Sequence, residues 1–109
     1  MNPYGNEFDA TKGNTSGTGI RLPSAVGIFP NGVSVEGIHD LSGNVWEWCL
    51  NEYDKPKRTG LGGSQMRVLR GGSWYFDQFF ARAVVRLHCV PDERDYRIGF
   101  RLACSSPIF

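Results

Sequence analysis

Residues 41–53 read LSGNVWEWCLNEY. Within this stretch Val45, Trp46, Glu47, Trp48 and Cys49 alternate apolar and polar side chains, the period of a strand with one covered face. The chain around it has a different texture. Upstream, residues 5–32 carry six glycines together with Pro23 and Pro30. Glycine and proline break long helices, so this part should be coil with short extended pieces such as 24–29, SAVGIF. Downstream, YDKPKRTGLGGSQ (53–65) is a polar loop, and MRVLRGGSW (66–74) reads as a strand running into a glycine turn at Gly71 and Gly72.

Residues 70–88, RGGSWYFDQFFARAVVRLH, can be read in two ways. Phe76, Phe79, Phe80, Ala83, Val84 and Leu87 fit a period of 3.6, whereas Ala81, Ala83, Val85 and Leu87 alternate. Phe, Tyr and Val lose rotamer freedom in a helix. The reading adopted is a turn or short helix over 75–80 and a strand over 81–88. Pro91 then opens a loop, and RIGFRLAC (97–104) alternates as a closing strand. No internal repeat and no linker interrupts the chain, so 1–109 is read as one domain.

Composition excludes several classes. The 109 residues include 12 basic and 11 acidic side chains, a net charge of +1. This balance gives no general attraction to nucleic acid or to an anionic membrane. The arginines of the last third are expected to fork onto carboxylates and backbone carbonyls. No apolar run approaches the roughly 20 residues that span a bilayer. The N-terminal residues lack the basic and apolar regions of a secretory signal. Cys49, Cys89 and Cys104 are an odd set without a C-x-x-C pair. That favours free thiols in a reducing, cytoplasmic compartment over a disulfide framework or a zinc site. No Ser-His-Asp arrangement and no phosphate-binding glycine loop can be drawn.

Three segments taken in order are far more specific than any of these signals: NPYGNEFDATKGNTSGTG (2–19), GIHDLSGNVWEW (37–48), and RVLRGGSW (67–74) followed by IGFRLAC (98–104). Together they resemble the C-terminal part of a formylglycine-generating-enzyme-like domain, the sulfatase-modifying-factor family. The resemblance implies an α+β, C-type lectin-like fold, loop-rich with short twisted antiparallel strands. The family's upstream segment, with its early strands and helices, is not in this sequence. The chain therefore reads as a fragment, a reduced version or one half of a complemented assembly. The resemblance also implies that Trp46, Trp48 and Trp74 are core.

In active members two cysteines follow the RGGS turn, bind copper and oxidise a substrate cysteine. Those places fall on Phe76 and Ala81 here. A phenyl ring and a methyl group can neither ligate a soft metal nor exchange with a thiol. No copper and no formylglycine-generating activity is expected. The family's calcium site would be made by the Asp40 and Glu47 side chains with backbone carbonyls at Gly43 and Val45. Read from the residues alone, Asp40 and Asn44 could instead cap turns while Glu47 pairs with an arginine. A second family calcium site would use Asn14 and Thr15, but its acidic partner is missing from residues 17–20.

One subset of the family contains proteins diversified by retroelements that mutate adenines, so that template asparagine codons (AAC) become other residues. Tyr75, Phe76, Asp77, Phe80, Val85, Leu87, His88, Cys89, Val90, Asp92, Asp95 and Tyr96 all lie between the frame residues of the last third. Each is reachable from AAC by changes in its first two bases, whereas Gln78 and Glu93 are not. These twelve are the expected ligand-binding surface, with tyrosine and phenylalanine offering large contact area at few rotors. Phe79 lies outside the set and is expected to point inward. The expected function is a non-catalytic module that recognises a protein or glycan. The alternatives are a divergent oxidase or accessory subunit, or an incomplete domain acting through self-assembly or a complementing chain.

Overall fold

The computed structural model describes residues 2, 3, 5 and 7–103; Cys104 and the end of the expected closing strand lie outside them. Four strands form one sheet: β1 (Trp46–Glu52), β2 (Arg67–Arg70), β3 (Arg86–Cys89) and β4 (Ile98–Gly99), in the order β3-β2-β1-β4. β2 is antiparallel to both β1 and β3, and β4 lies parallel to β1. Helical structure among the described residues consists of three 3₁₀ turns at Ala10–Lys12, Ser16–Thr18 and Pro30–Gly32. This is the expected loop-rich α+β fold around a small curled sheet, in which β4 adds one short parallel pairing to the antiparallel strands.

The alternation of 45–49 does form β1, with Trp46 sealed and its register against β2 irregular between Trp48 and Glu52. Loops are tied to the start of this strand by backbone bonds. Asn44 N–H donates to the Asn14 carbonyl (2.7 Å), Trp74 N–H to that of Asn44 (2.9 Å), and Trp46 N–H to that of Arg97 (2.7 Å). Ser16 N–H reaches the Phe76 carbonyl at 3.0 Å, and the Ser42 hydroxyl reaches that of Ala81 at 3.1 Å. Residues 42–46 thus hold together the N-terminal coil, the glycine turn and the last third of the chain.

Three expected extended segments are shorter or absent. Residues 24–29 form no strand; Ser24 N–H instead donates to Asn44 Oδ1 (2.8 Å), serving the loop rather than a ladder. The strand expected over 81–88 begins only at Arg86. Asp77 Oδ1 accepts the Phe79 N–H (3.0 Å), an Asx turn, and further turns follow through Val85 N–H to the Arg82 carbonyl. Side-chain turn chemistry of this kind competes with extension. The closing strand contributes only Ile98 and Gly99 to the sheet. Beyond them Arg101 is drawn across to Glu47 and to the carbonyls of His39 and Asp40. No helix among the described residues is long and apolar enough to cross a membrane.

Candidate functional site

None of the twelve expected surface positions is buried. Five of them, Phe76, Leu87, His88, Cys89 and Asp95, line one cleft of about 210 Å³, and Tyr75 and Tyr96 adjoin it through Arg97. Its inner wall is apolar: buried Trp46 and Leu69, with Phe76, Leu87 and Ile98 half-covered. Its outer wall is polar, made by His88, Cys89, Glu93, Asp95 and Arg97. Beside the mouth, Tyr96 stacks on Trp74 (5.8 Å between centroids, 19°), and Tyr75 meets Trp74 edge-on at 5.8 Å. Both tyrosines are open, at 59% and 70% exposure for Tyr75 and Tyr96. β3 brings Leu87, His88 and Cys89 to the cleft, and the turn before β4 brings Asp95 and Tyr96.

The other five positions are spread more widely. Asp77 lies in a neighbouring cleft with Phe8 and Gln78, while Val90 and Asp92 line a shallow one beside Gly63 and Ser64. Phe80 stands behind Phe76, edge to face at 5.0 Å, and Val85 is half-buried. Expectation and structure exchange two rings. Phe79, expected to point inward, is 54% exposed, with the Arg82 guanidinium 4.0 Å over its ring. Phe76 and Phe80 instead turn their edges to the buried Trp46, at 5.4 and 6.5 Å. Both are half-covered, so their outer edges still belong to the surface. The three tryptophans also divide: Trp46 is sealed, and Trp48 and Trp74 are only half-buried.

Arg97 is the cleft residue that reading by substitution pattern misses. Its guanidinium forks onto Asp95, with Nε to Oδ1 at 2.9 Å and Nη2 to Oδ2 at 2.7 Å, and its backbone N–H adds a third bond at 2.7 Å. It also stands 5.2 and 5.9 Å over the rings of Tyr75 and Tyr96. The D-x-R spacing in an otherwise polar turn was the available signal. These bonds, the guanidinium's first and the backbone N–H next, hold the Asp95 carboxyl down to about 2. A depressed carboxyl adds stability that is complete above its ordinary value near ~3.9 and is lost as pH falls through the folded value. An NMR carboxyl titration should therefore place Asp95 at about 2. Arg97→Ala should move it back up toward the ordinary range; an unmoved midpoint would rule out the fork as the cause.

Most other arginines of the last third also serve the frame. Arg70, Arg82 and Arg86 donate to the carbonyls of Ala83, Phe79 and Tyr53. The expected catalytic cysteine places are filled by apolar groups, Phe76 against Trp46 and the buried Ala81. The thiols of Cys49 and Cys89 are both pushed up by burial, and Cys89 further by nearby Glu93, which disfavours the thiolate that metal binding needs.

The residues expected to hold calcium do come together, but with a protein cation already among them. Both Glu47 carboxylate oxygens accept from Arg101, and the Asp40 carbonyl does so at 2.9 Å. Asp40 Oδ2 accepts the Gly27 N–H at 2.9 Å. The Gly43 N–H bonds the Gly71 carbonyl at 2.6 Å, fixing the turn. The Glu47 carboxylate is therefore not free to take a calcium ion unless the guanidinium leaves. Nor do the described residues contain a cluster of three or more His, Cys, Asp or Glu placed to hold a metal.

The chain is 34% identical over 119 residues to inactive C-alpha-formylglycine-generating enzyme 2 of Mus musculus, covering 95% of this chain and 36% of that protein. It is 34% identical over 113 residues to hercynine oxygenase of Mycobacterium tuberculosis, covering 93% and 26% respectively. Among solved structures it resembles Treponema denticola variable protein 1, with a TM-score of 0.72 and 26% identity over 88% of this chain and 38% of that one. The chain thus spans about a quarter to a third of the length of these curated relatives. The family model for the sulfatase-modifying factor enzyme 1-like domain matches residues 2–106, and the chain belongs to that family.

Proposed function

We propose that this chain is a non-catalytic ligand-binding module that presents variable side chains, about residues 75–96, on a C-type lectin-type scaffold. The observation that carries the reading is the accessibility of all twelve positions, five of them lining one cleft with Tyr75 and Tyr96 beside it, on a frame held by bonds that do not involve most of their side chains. Phe76 and Ala81 supply no metal-binding thiol. One relative bears the name of an inactive enzyme, and a structural neighbour that of a variable protein. The hercynine oxygenase likeness keeps the enzyme class as the rival reading, and copper-dependent oxidation of a cysteine peptide by the purified chain would establish it.

The coding DNA tests the proposal directly. A second copy of the segment in the same genome should differ mainly at these twelve codons and carry adenines there. Differences scattered equally over Trp74, Gln78 and Glu93 would refute diversification. At the protein level, Tyr75→Ala and Tyr96→Ala should each change stability by less than about 1 kcal/mol, as exposed sites do. Both should abolish partner binding. A loss of several kcal/mol in a urea melt would mean that the rings are structural.

One observation favours a further reading, in which the module works as part of a larger assembly. Val26, Phe100 and Leu102 are almost bare, and Val26 and Phe100 share an open cleft beside Arg101. A monomer that stays folded on dilution, measured by light scattering, would remove that reading.

A further inference from the structure

The cleft has a chemistry narrower than "protein or glycan". At about 210 Å³ it lies below the roughly 300–1,000 Å³ typical of small-molecule sites. It is of a size for one side chain, not for a sugar chain or a cofactor. Its depth is hydrocarbon and aromatic ring. Trp46 lines it, and the Trp46 indole N–H has no acceptor among the described residues.

The mouth decides what the tip of the guest should be. Asp95 and Arg97 neutralise each other in their fork. Glu93, which shares the mouth, makes no ion pair among the described residues. The remaining titratable groups there are His88, whose ring rests against Tyr53 at 4.6 Å, and the Cys89 thiol. Cys89 senses the same negative field, from Glu93, Asp95 and Asp92. An apolar shaft ending in an uncompensated carboxylate is complementary to a long aliphatic stem with a cationic head.

We infer that the cleft is an anchor pocket for a lysine side chain of a protein partner, its stem against Trp46, Leu87 and Ile98 and its ammonium at Glu93. The assignment rests on the ligand-binding reading of this face. The open rings of Tyr75 and Tyr96 would surround the anchor and exclude water, as the periphery of a binding hot spot does.

The probe is Nα-acetyl-lysine methylamide, titrated into the isotopically labelled chain and followed by amide and indole NMR. Its uncharged counterpart Nα-acetyl-norleucine methylamide and the acidic Nα-acetyl-glutamate methylamide are run in parallel. The lysine probe should shift the Trp46 indole signal and the amides of Leu87, His88 and Ile98. It should bind about threefold more tightly than the norleucine probe, the scale of one exposed ion pair. Glu93→Gln should erase that difference while leaving the norleucine shifts in place, and the glutamate probe should bind least. Norleucine binding as well as lysine, or lysine shifts absent from these residues, would overturn the anchor. Either failure leaves the wider face standing, because that face is tested separately by the coding DNA and by Tyr75→Ala and Tyr96→Ala. A face that fails those tests while the lysine probe binds would instead overturn the assignment to a partner.

Discussion

Trp46→Ala should destabilise this protein by about 3 kcal/mol. Large aromatic deletions from a core cost about 3–5 kcal/mol. Here the ring is 1% exposed, and Val68, Leu69 and Ala81 are the other buried hydrophobic residues among those described. Phe76 and Phe80 both lean on it, so its removal also loosens the inner edge of the cleft. The indole N–H without an acceptor works the other way. Such a group costs about 1–3 kcal/mol, and its loss offsets part of the damage. The net effect should sit toward the lower end of the range, still a large share of the 5–15 kcal/mol that domains usually have. Trp46→Phe separates the two effects, since it keeps a ring and deletes the donor, and it should cost clearly less. Urea denaturation followed by circular dichroism measures both. A loss under about 1 kcal/mol for the alanine variant would show that the core lies elsewhere.

Gly43→Ala should be nearly as damaging although it adds a single methyl group. Gly43 has φ of 86°, where an L side chain is strained by about 1–2 kcal/mol. A Cβ there would also lie 2.8 Å from the carbonyl carbon of Asn14 and overlap its oxygen, and both are backbone atoms that cannot swing away. Gly63 is the internal control: its φ is 85° and a Cβ would meet nothing within 4 Å. Gly63→Ala should therefore show the conformational penalty alone, and Gly43→Ala that penalty plus a displaced N-terminal coil. Equal losses for the two would mean that the contact between residues 14 and 43 can relax freely. Gly43 was read from the sequence as a contributor of a metal-facing carbonyl. The structure adds a second demand on the position, the close approach of the Asn14 backbone, which bars any side chain there.

How much of this was legible beforehand depends on the range of the interaction. The alternation of Val45 to Cys49 is local, and it gave β1. Val68 and Leu69 gave β2 in the same way, and the order of three sequence blocks gave the family. The turns over 77–85 were legible only in part. Asp77 capping Phe79 is a local device that could have been seen, but the bond from Arg70 to the Ala83 carbonyl, 13 residues away, could not. Phe79 and Phe80 show the same limit. Adjacent identical rings carry no sign of which one faces Trp46, and that choice is made by the turn geometry. The cleft was foreshadowed by the mixed chemistry of 75–96. Arg97 reads in the sequence as one of several arginines that fork onto carboxylates, and only the structure shows that its fork with Asp95 lines the cleft. The Asp40–Glu47 cluster was visible as a group of oxygens, but its partner lies 54 residues downstream of Glu47, and no local pattern announces Arg101.

That last contact constrains how the protein can be made. The loop preceding β1 leaves the ribosome before the guanidinium that clasps it, which belongs to a residue translated 61 positions after Asp40. β4, which completes the sheet against β1, comes only just before it. A nascent chain stalled before Arg101 must therefore hold the Glu47 carboxylate without its partner and β1 with a bare edge. Protease sensitivity of the 39–47 loop should persist until Arg101 has emerged and close only then.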